Sequence, residues 1–138
     1  MEPLVGIVVV SHSARLAEGT VELVLAATNP GGELDLRVLP VGGTADGEIG
    51  TDGDRIAAAL EAADAGAGVV VLADLGSAIL ATNTALMLME PERAERVRLS
   101  GGPIVEGAYA AATAAAAGQP LERVLGQAVA ARDFPKDV

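Results

Sequence analysis

The sequence predicts an α/β fold, a doubly wound, mainly parallel four-stranded sheet with helices on both faces. Two observations carry that expectation. Continuous apolar runs such as Leu4-Val5-Gly6-Ile7-Val8-Val9-Val10 and Val69-Val70-Val71-Leu72 have the pattern of strands buried on both faces. Runs of this kind are followed by turn residues and then by helical spacing, and strands alternating with helices give parallel sheets with right-handed crossovers.

The first strand, Leu4–Val10, ends in Ser11-His12-Ser13, and Ser13 is a good N-cap for the next helix. That helix sets Leu16, Thr20, Leu23, Val24 and Ala27 on one stripe and stops at Asn29-Pro30-Gly31-Gly32. Leu34–Val41 reads as a second strand, with Pro40 placing its end near a sheet edge. A turn-rich loop over residues 42–50 follows. Thr51-Asp52-Gly53-Asp54 then opens a helix to about Ala65, with Ile56 and Leu60 inward. Gly68–Ala73 is the third strand, and Asp74-Leu75-Gly76-Ser77 turns into a helix reaching about Met89. A short fourth strand, Val97–Ser100, ends at Gly101-Gly102-Pro103, where Pro103 suits the first position of a helix to Ala117. After Gly118-Gln119-Pro120, a last helix spaces Leu121, Val124, Leu125, Ala128 and Val129 along one face, and residues 133–138 read as a loose tail.

The 138 residues fit one domain, 1–138, and 51% hydrophobic residues suffice for a real core. With one Phe, one Tyr and no Trp, aromatic stacking on bases is excluded. A net charge of −10 argues against nucleic acid and anionic membranes as partners. No basic leader is visible, and neither Leu4–Val10 nor Ala108–Ala117 approaches the roughly 20 residues that cross a bilayer. The absence of cysteine excludes disulfides and thiol chemistry and fits a cytoplasmic protein.

In open α/β sheets, ligands bind outside the carboxyl ends of the strands, where strand order reverses. The four strand exits, at Ser11-His12-Ser13, Gly42-Gly43-Thr44, Asp74-Leu75-Gly76-Ser77 and Gly101-Gly102-Pro103, therefore converge on one rim. Helix N-termini with free N–H groups suit that rim to a phosphate-sized anion. His12 is the only histidine. It reads about equally as a hydrogen-bonded turn residue and as a functional group. Asp46, Asp52, Asp54 and Asp74 lack a metal-ligand spacing, so neither metal nor other cofactor is expected. There is no Gly-x-Ser-x-Gly elbow and no nucleotide-binding Gly-rich loop with its lysine, since the single lysine is Lys136. Imidazole itself remains as a nucleophile able to carry a phosphoryl group, because it keeps a free lone pair near neutral pH. Asp74 is the candidate to orient it if the first and third strands are neighbours; an ordinary turn aspartate is the alternative. Backbone N–H groups at Gly42, Gly43, Gly76 and Ser77, with the hydroxyls of Ser13, Thr51 and Ser77, are candidate phosphate donors. Arg15 is a further candidate, although a solvated surface arginine fits it as well.

Val8–Ser13, the loop Gly42–Thr51, Leu72-Ala73-Asp74-Leu75-Gly76-Ser77-Ala78 and Pro103–Ala108 together resemble the DhaM family. These are the phosphotransfer subunits of phosphotransferase-system-dependent dihydroxyacetone kinases, and their first domain is a mannose-type enzyme IIA. The resemblance spans about residues 5–131, and it implies several things. His12 would accept a phosphoryl group from HPr and pass it to ADP held on the nucleotide-binding kinase subunit. The ATP formed would phosphorylate dihydroxyacetone on the dihydroxyacetone-binding subunit of the same system. Asp74 would match the family's strand-three aspartate, and a homodimer is expected. Some members carry HPr-like and enzyme I-like domains behind the first, so a chain ending at Val138 is expected to use separate donors. A mannose-type enzyme IIA feeding a sugar transporter, or a non-catalytic phosphate-sensing module, would share the rim. Asp46, Glu48 and Asp52 beside it suggest partner surfaces of positive charge.

Overall fold

The computed structural model describes residues 2–137. Four strands, β1 (Gly6–Ser11), β2 (Val38–Gly42), β3 (Val69–Ala73) and β4 (Val97–Leu99), form one sheet in the order β2-β1-β3-β4. Every pairing is parallel, with Val9 opposite Pro40 on one side and Leu72 on the other. The chain leaves β1 toward β2 and later returns to lay β3 on β1's opposite side. The strand order thus reverses between β1 and β3, which places His12 and Asp74 at the switch point.

Among the described residues there are six helices, α1 (Ala14–Thr28), α2 (Gly53–Ala63), α3 (Gly76–Leu86), α4 (Pro91–Ala94), α5 (Ile104–Ala116) and α6 (Leu121–Ala130), the last continued by a 3-10 turn over Ala131–Asp133, and all but the short α4 pack on the sheet. Alternate side chains of β1 point to opposite faces. Val5, Ile7 and Val9 pack with α1, α5 and α6, while Val8 and Val10 pack with α2 and α3. The expected double winding is therefore present. Each fully buried Val or Leu in these layers contributes about 1.5–3 kcal/mol, and the alanines of α5 let that helix sit close over the sheet.

Several boundaries differ from the sequence reading for local reasons. β1 starts at Gly6 because Gly6 is the first residue with a partner on β3. β2 begins only at Val38. The Asn29 side chain ties Leu34 to the end of α1, donating to its carbonyl at 3.0 Å and accepting its N–H at 3.2 Å. Pro40 does lie on an edge strand. Of the stripe expected on α1, Thr20 and Val24 are buried, but the rest is corrected: Leu16 and Leu23 are 42% and 58% exposed, Ala27 is exposed, and Ala17 and Val21 are buried in their place. The buried face is rotated by about one residue, bringing small Ala17 against the layer. α2 ends at Ala63, where Asp64 caps it, and α3 ends at Leu86 in tight turns over residues 87–89. The four-residue α4, with Pro91 in its first turn, was not anticipated. Pro103 is the N-cap of α5, one position before the helical residue expected of it. On α6, Val124 and Ala128 are buried and Leu121 and Leu125 pack beside them, as their spacing implies. In the tail read as loose, Lys136 ion-pairs with Glu106; Val138 lies outside the described residues.

Candidate active site

The site is assembled at the exit of β1 by three consecutive residues that point in different directions. Ser11 is fully buried; its Oγ donates to Asp74 Oδ2 at 2.9 Å and accepts the Ser13 N–H at 3.0 Å. His12 is half-buried, and its imidazole faces the exit of β3. Ser13 caps α1, its Oγ accepting the Leu16 N–H at 3.3 Å. The break in the strand, the turn and the helix start are thus compressed into three residues.

Asp74 is the hub of this arrangement. Oδ2 accepts the backbone N–H of His12 at 2.9 Å as well as the Ser11 hydroxyl, and Oδ1 accepts the Leu75 N–H at 2.7 Å. Oδ1 also lies 3.0 Å from His12 Nδ1. Burial works to raise the Asp74 pKa, but the hydrogen bonds from the His12 backbone, the imidazole, Ser11 and Leu75 outweigh it and hold the carboxyl below its ordinary range. An ionised carboxylate can only accept, so Nδ1 carries the proton in this contact. In the neutral ring the lone pair then resides on Nε2, where the Ser77 hydroxyl donates at 2.8 Å.

Ser77 and Gly76 open α3, whose N-cap Leu75 offers no capping side chain. Among the described residues the N–H groups of Gly76 and Ser77 have no acceptor, so the first turn of α3 presents free donors beside the Ser77–Nε2 contact. The arrangement can hold negative charge next to Nε2 without a cation. No group of three or more potential metal-ligating side chains occurs among the described residues.

The other sequence candidates take different places. The Gly43 N–H donates to the Ser11 carbonyl at 3.3 Å and is therefore engaged within the framework. Gly42 is required sterically: a Cβ there would stand 2.6 Å from the Ser13 carbonyl oxygen. Thr51 precedes the α2 N-cap Asp52, and its hydroxyl has no partner among the described residues. The loop carrying it reaches the site through its backbone, with the Gly50 N–H donating to the His12 carbonyl at 2.9 Å. Arg15 is exposed. Ser11 was not singled out by sequence reasoning. The available signal was a serine still inside an apolar strand run, which burial obliges to find partners.

An open parallel sheet with a lone histidine, an aspartate and a serine at its switch point defines a class. Residues 6–125 match the EIIA-man family model, described as the fructose IIA component of the phosphotransferase system, and the chain belongs to that family. More narrowly, the resemblance to DhaM holds. The chain is 41% identical over 122 residues, 88% of its length, to the phosphoryl donor subunit DhaM of a PEP-dependent dihydroxyacetone kinase from Pantoea ananatis, but covers only 26% of that relative. It is 32% identical over 122 residues to the corresponding subunit of kinase 2 from Listeria innocua, covering 94% of it. The chain thus spans about a quarter of the longer curated relatives and nearly all of a shorter one. The crystal structure of EF1359, a protein of unknown function, superposes with a TM-score of 0.79 at 30% identity, covering 92% of this chain and 94% of that one.

Proposed function

We propose that this chain is a phosphohistidine relay, the phosphoryl donor subunit of a dihydroxyacetone kinase driven by the phosphotransferase system. The observation that carries this reading is the Asp74–His12–Ser77 line, which leaves one imidazole nitrogen with its lone pair beside the free donors of α3. In the first step the Nε2 lone pair attacks the phosphorus of phosphorylated HPr. The Nε2–P bond forms as the donor's N–P bond breaks, and the electron pair leaves with the donor imidazole. No proton has to move, because the proton stays on Nδ1, hydrogen-bonded to Asp74, whose carboxylate balances the positive charge acquired by the phosphorylated ring. In the second step an oxygen of the terminal phosphate of ADP, bound on the kinase's nucleotide-binding subunit, attacks the same phosphorus. The Nε2–P bond breaks and the neutral imidazole returns with its proton in place. Ser77 and the N–H groups of α3 hold the phosphoryl oxygens through both transfers. A cradle of neutral donors suits a relay, since it does not clamp the group it must release.

The ATP produced would then phosphorylate dihydroxyacetone on the remaining subunit. Both partners must reach His12, so HPr and the ADP-bearing subunit would bind in turn, with weak, salt-sensitive contacts. A homodimer that leaves both rims open, acting in the cytoplasm, fits this role. No helix among the described residues is long and apolar enough to cross a membrane. A second reading, a IIA component feeding a sugar transporter, is favoured by the description of the family model. The two differ in acceptor. Incubation with phosphoenolpyruvate, enzyme I and HPr is expected to add one acid-labile phosphoryl group, absent in His12→Ala, that is discharged by the ADP-loaded kinase subunit. Discharge only to a transporter component would establish the second reading, and an unlabelled wild-type chain would contradict both.

A further inference from the structure

Arg55 stands in the first turn of α2, where the helix dipole disfavours a cation, and it pairs with no carboxylate among the described residues. Its guanidinium instead turns back to the exit of β2. Nη1 donates to the carbonyls of Gly42 and Gly43 at 3.0 Å each and of Thr44 at 3.1 Å. Three carbonyls converging on one nitrogen fix the start of the loop between β2 and α2. Thr44 closes the next turn, its N–H donating to the Glu48 carbonyl at 2.9 Å and its Oγ1 accepting the Glu48 N–H at 3.1 Å. Beyond Glu48 the loop presents Ile49, 76% exposed, and Gly50, which donates to the His12 carbonyl. On the opposite side of the imidazole, Leu75 is 62% exposed next to Asp74.

We infer that Arg55 is a positioning residue for partner docking: it locks the Gly42–Thr44 turn so that Ile49 is held ready as an apolar edge beside His12. This role rests on the relay reading above. The loop contains Gly43 and Gly47 in left-handed conformations, with φ of 73° and 83°, so without an anchor it has ample freedom to lose on binding. Ordering such a segment at the moment of docking weakens association without altering the chemistry that Asp74 sets up.

The test compares Arg55→Ala and Arg55→Lys with the wild type, labelled either by phosphorylated HPr over a range of concentrations or by phosphoramidate, a small donor that needs no docking surface. Arg55→Ala is expected to raise the half-saturating HPr concentration on the order of tenfold, the factor that about 1.4 kcal/mol of ordering cost imposes. The maximal rate and the phosphoramidate reaction should stay within about twofold. Arg55→Lys, whose ammonium still offers three donors, should recover most of the loss. An unchanged half-saturating concentration in Arg55→Ala, or a phosphoramidate reaction that falls in step with the HPr reaction, would overturn the docking role alone. A wild-type chain labelled by phosphoramidate but not by HPr would overturn the relay reading, and this role with it.

Discussion

Asp74 holds His12 twice: Oδ2 takes the backbone N–H at 2.9 Å while Oδ1 stands 3.0 Å from Nδ1. One carboxylate thus fixes both the position of the residue and the tautomer of its ring. Asp74→Asn disrupts this, because an amide nitrogen at either oxygen's place meets two donors instead of supplying an acceptor. Phosphoryl transfer to His12 is expected to slow by on the order of a hundredfold or more. Stability should fall by about 1–3 kcal/mol. Single-turnover labelling with phosphorylated HPr, alongside a urea titration, measures both; wild-type rates in a folded variant would return Asp74 to an ordinary turn.

Ser11 supports the hub from beneath, and it is fully buried. Ser11→Ala leaves the Ser13 N–H without its acceptor and removes one donor from Asp74. A loss of about 1–3 kcal/mol is expected in denaturant unfolding. Slower labelling of His12 should accompany it, since Asp74 gains freedom. Slower labelling with unchanged stability, or the reverse, would separate the two effects and contradict a shared origin.

Gly42 sets the approach of β2 to the start of α1. The Cβ added by Gly42→Ala would stand 2.6 Å from the Ser13 carbonyl oxygen and 2.8 Å from its carbon, and both are backbone atoms that cannot step aside singly. Overpacking of this kind costs about 1–3 kcal/mol. The displaced segment is the one that carries His12, so Tm and the labelling rate should fall together. An unaltered Tm would show that the strand and helix separate freely at this point.

Acid should weaken the fold through two aspartates. For Asp74, burial is opposed and outweighed by the donors around it; for Asp64, burial is likewise outweighed by the Gly66 N–H, Arg96 and the Gly68 N–H. Both carboxyls are held below the ordinary range in the folded chain. Each therefore adds stability that is fully present above the ordinary carboxylate pKa and is lost as pH falls through the lowered folded value. Urea midpoints should hold level down to the ordinary carboxylate range, then drop, with a shallower drop in Asp64→Asn. A midpoint that rises on acidification in that range would contradict the hydrogen-bonding account.

The sheet and its exits were legible because strands buried on both faces are written as unbroken apolar runs, and the first polar residues after them fall at the rim. His12 and Asp74 pair from the sequence alone once β1 and β3 are neighbours, since both residues stand at strand exits. Other features carry weaker signals. On α1 the expected stripe is right at Thr20 and Val24 but wrong at Leu16, Leu23 and Ala27, because the smaller Ala17 and Val21 complete the buried face. A four-residue helix such as α4 has too short a period to read. The Ser77 hydroxyl reaches Nε2 across 65 residues of sequence, and the convergence of three carbonyls on Arg55 depends on a loop conformation that no local pattern encodes.

The central claim is that the phosphoryl group rides on Nε2 of His12, and it is tested most directly at that nitrogen. With 15N-labelled imidazole, phosphorylation by phosphoenolpyruvate, enzyme I and HPr should produce phosphorus–nitrogen coupling at Nε2, while Nδ1 keeps its proton against Asp74. Coupling at Nδ1, or a phosphoryl group on any residue other than His12, would contradict the account.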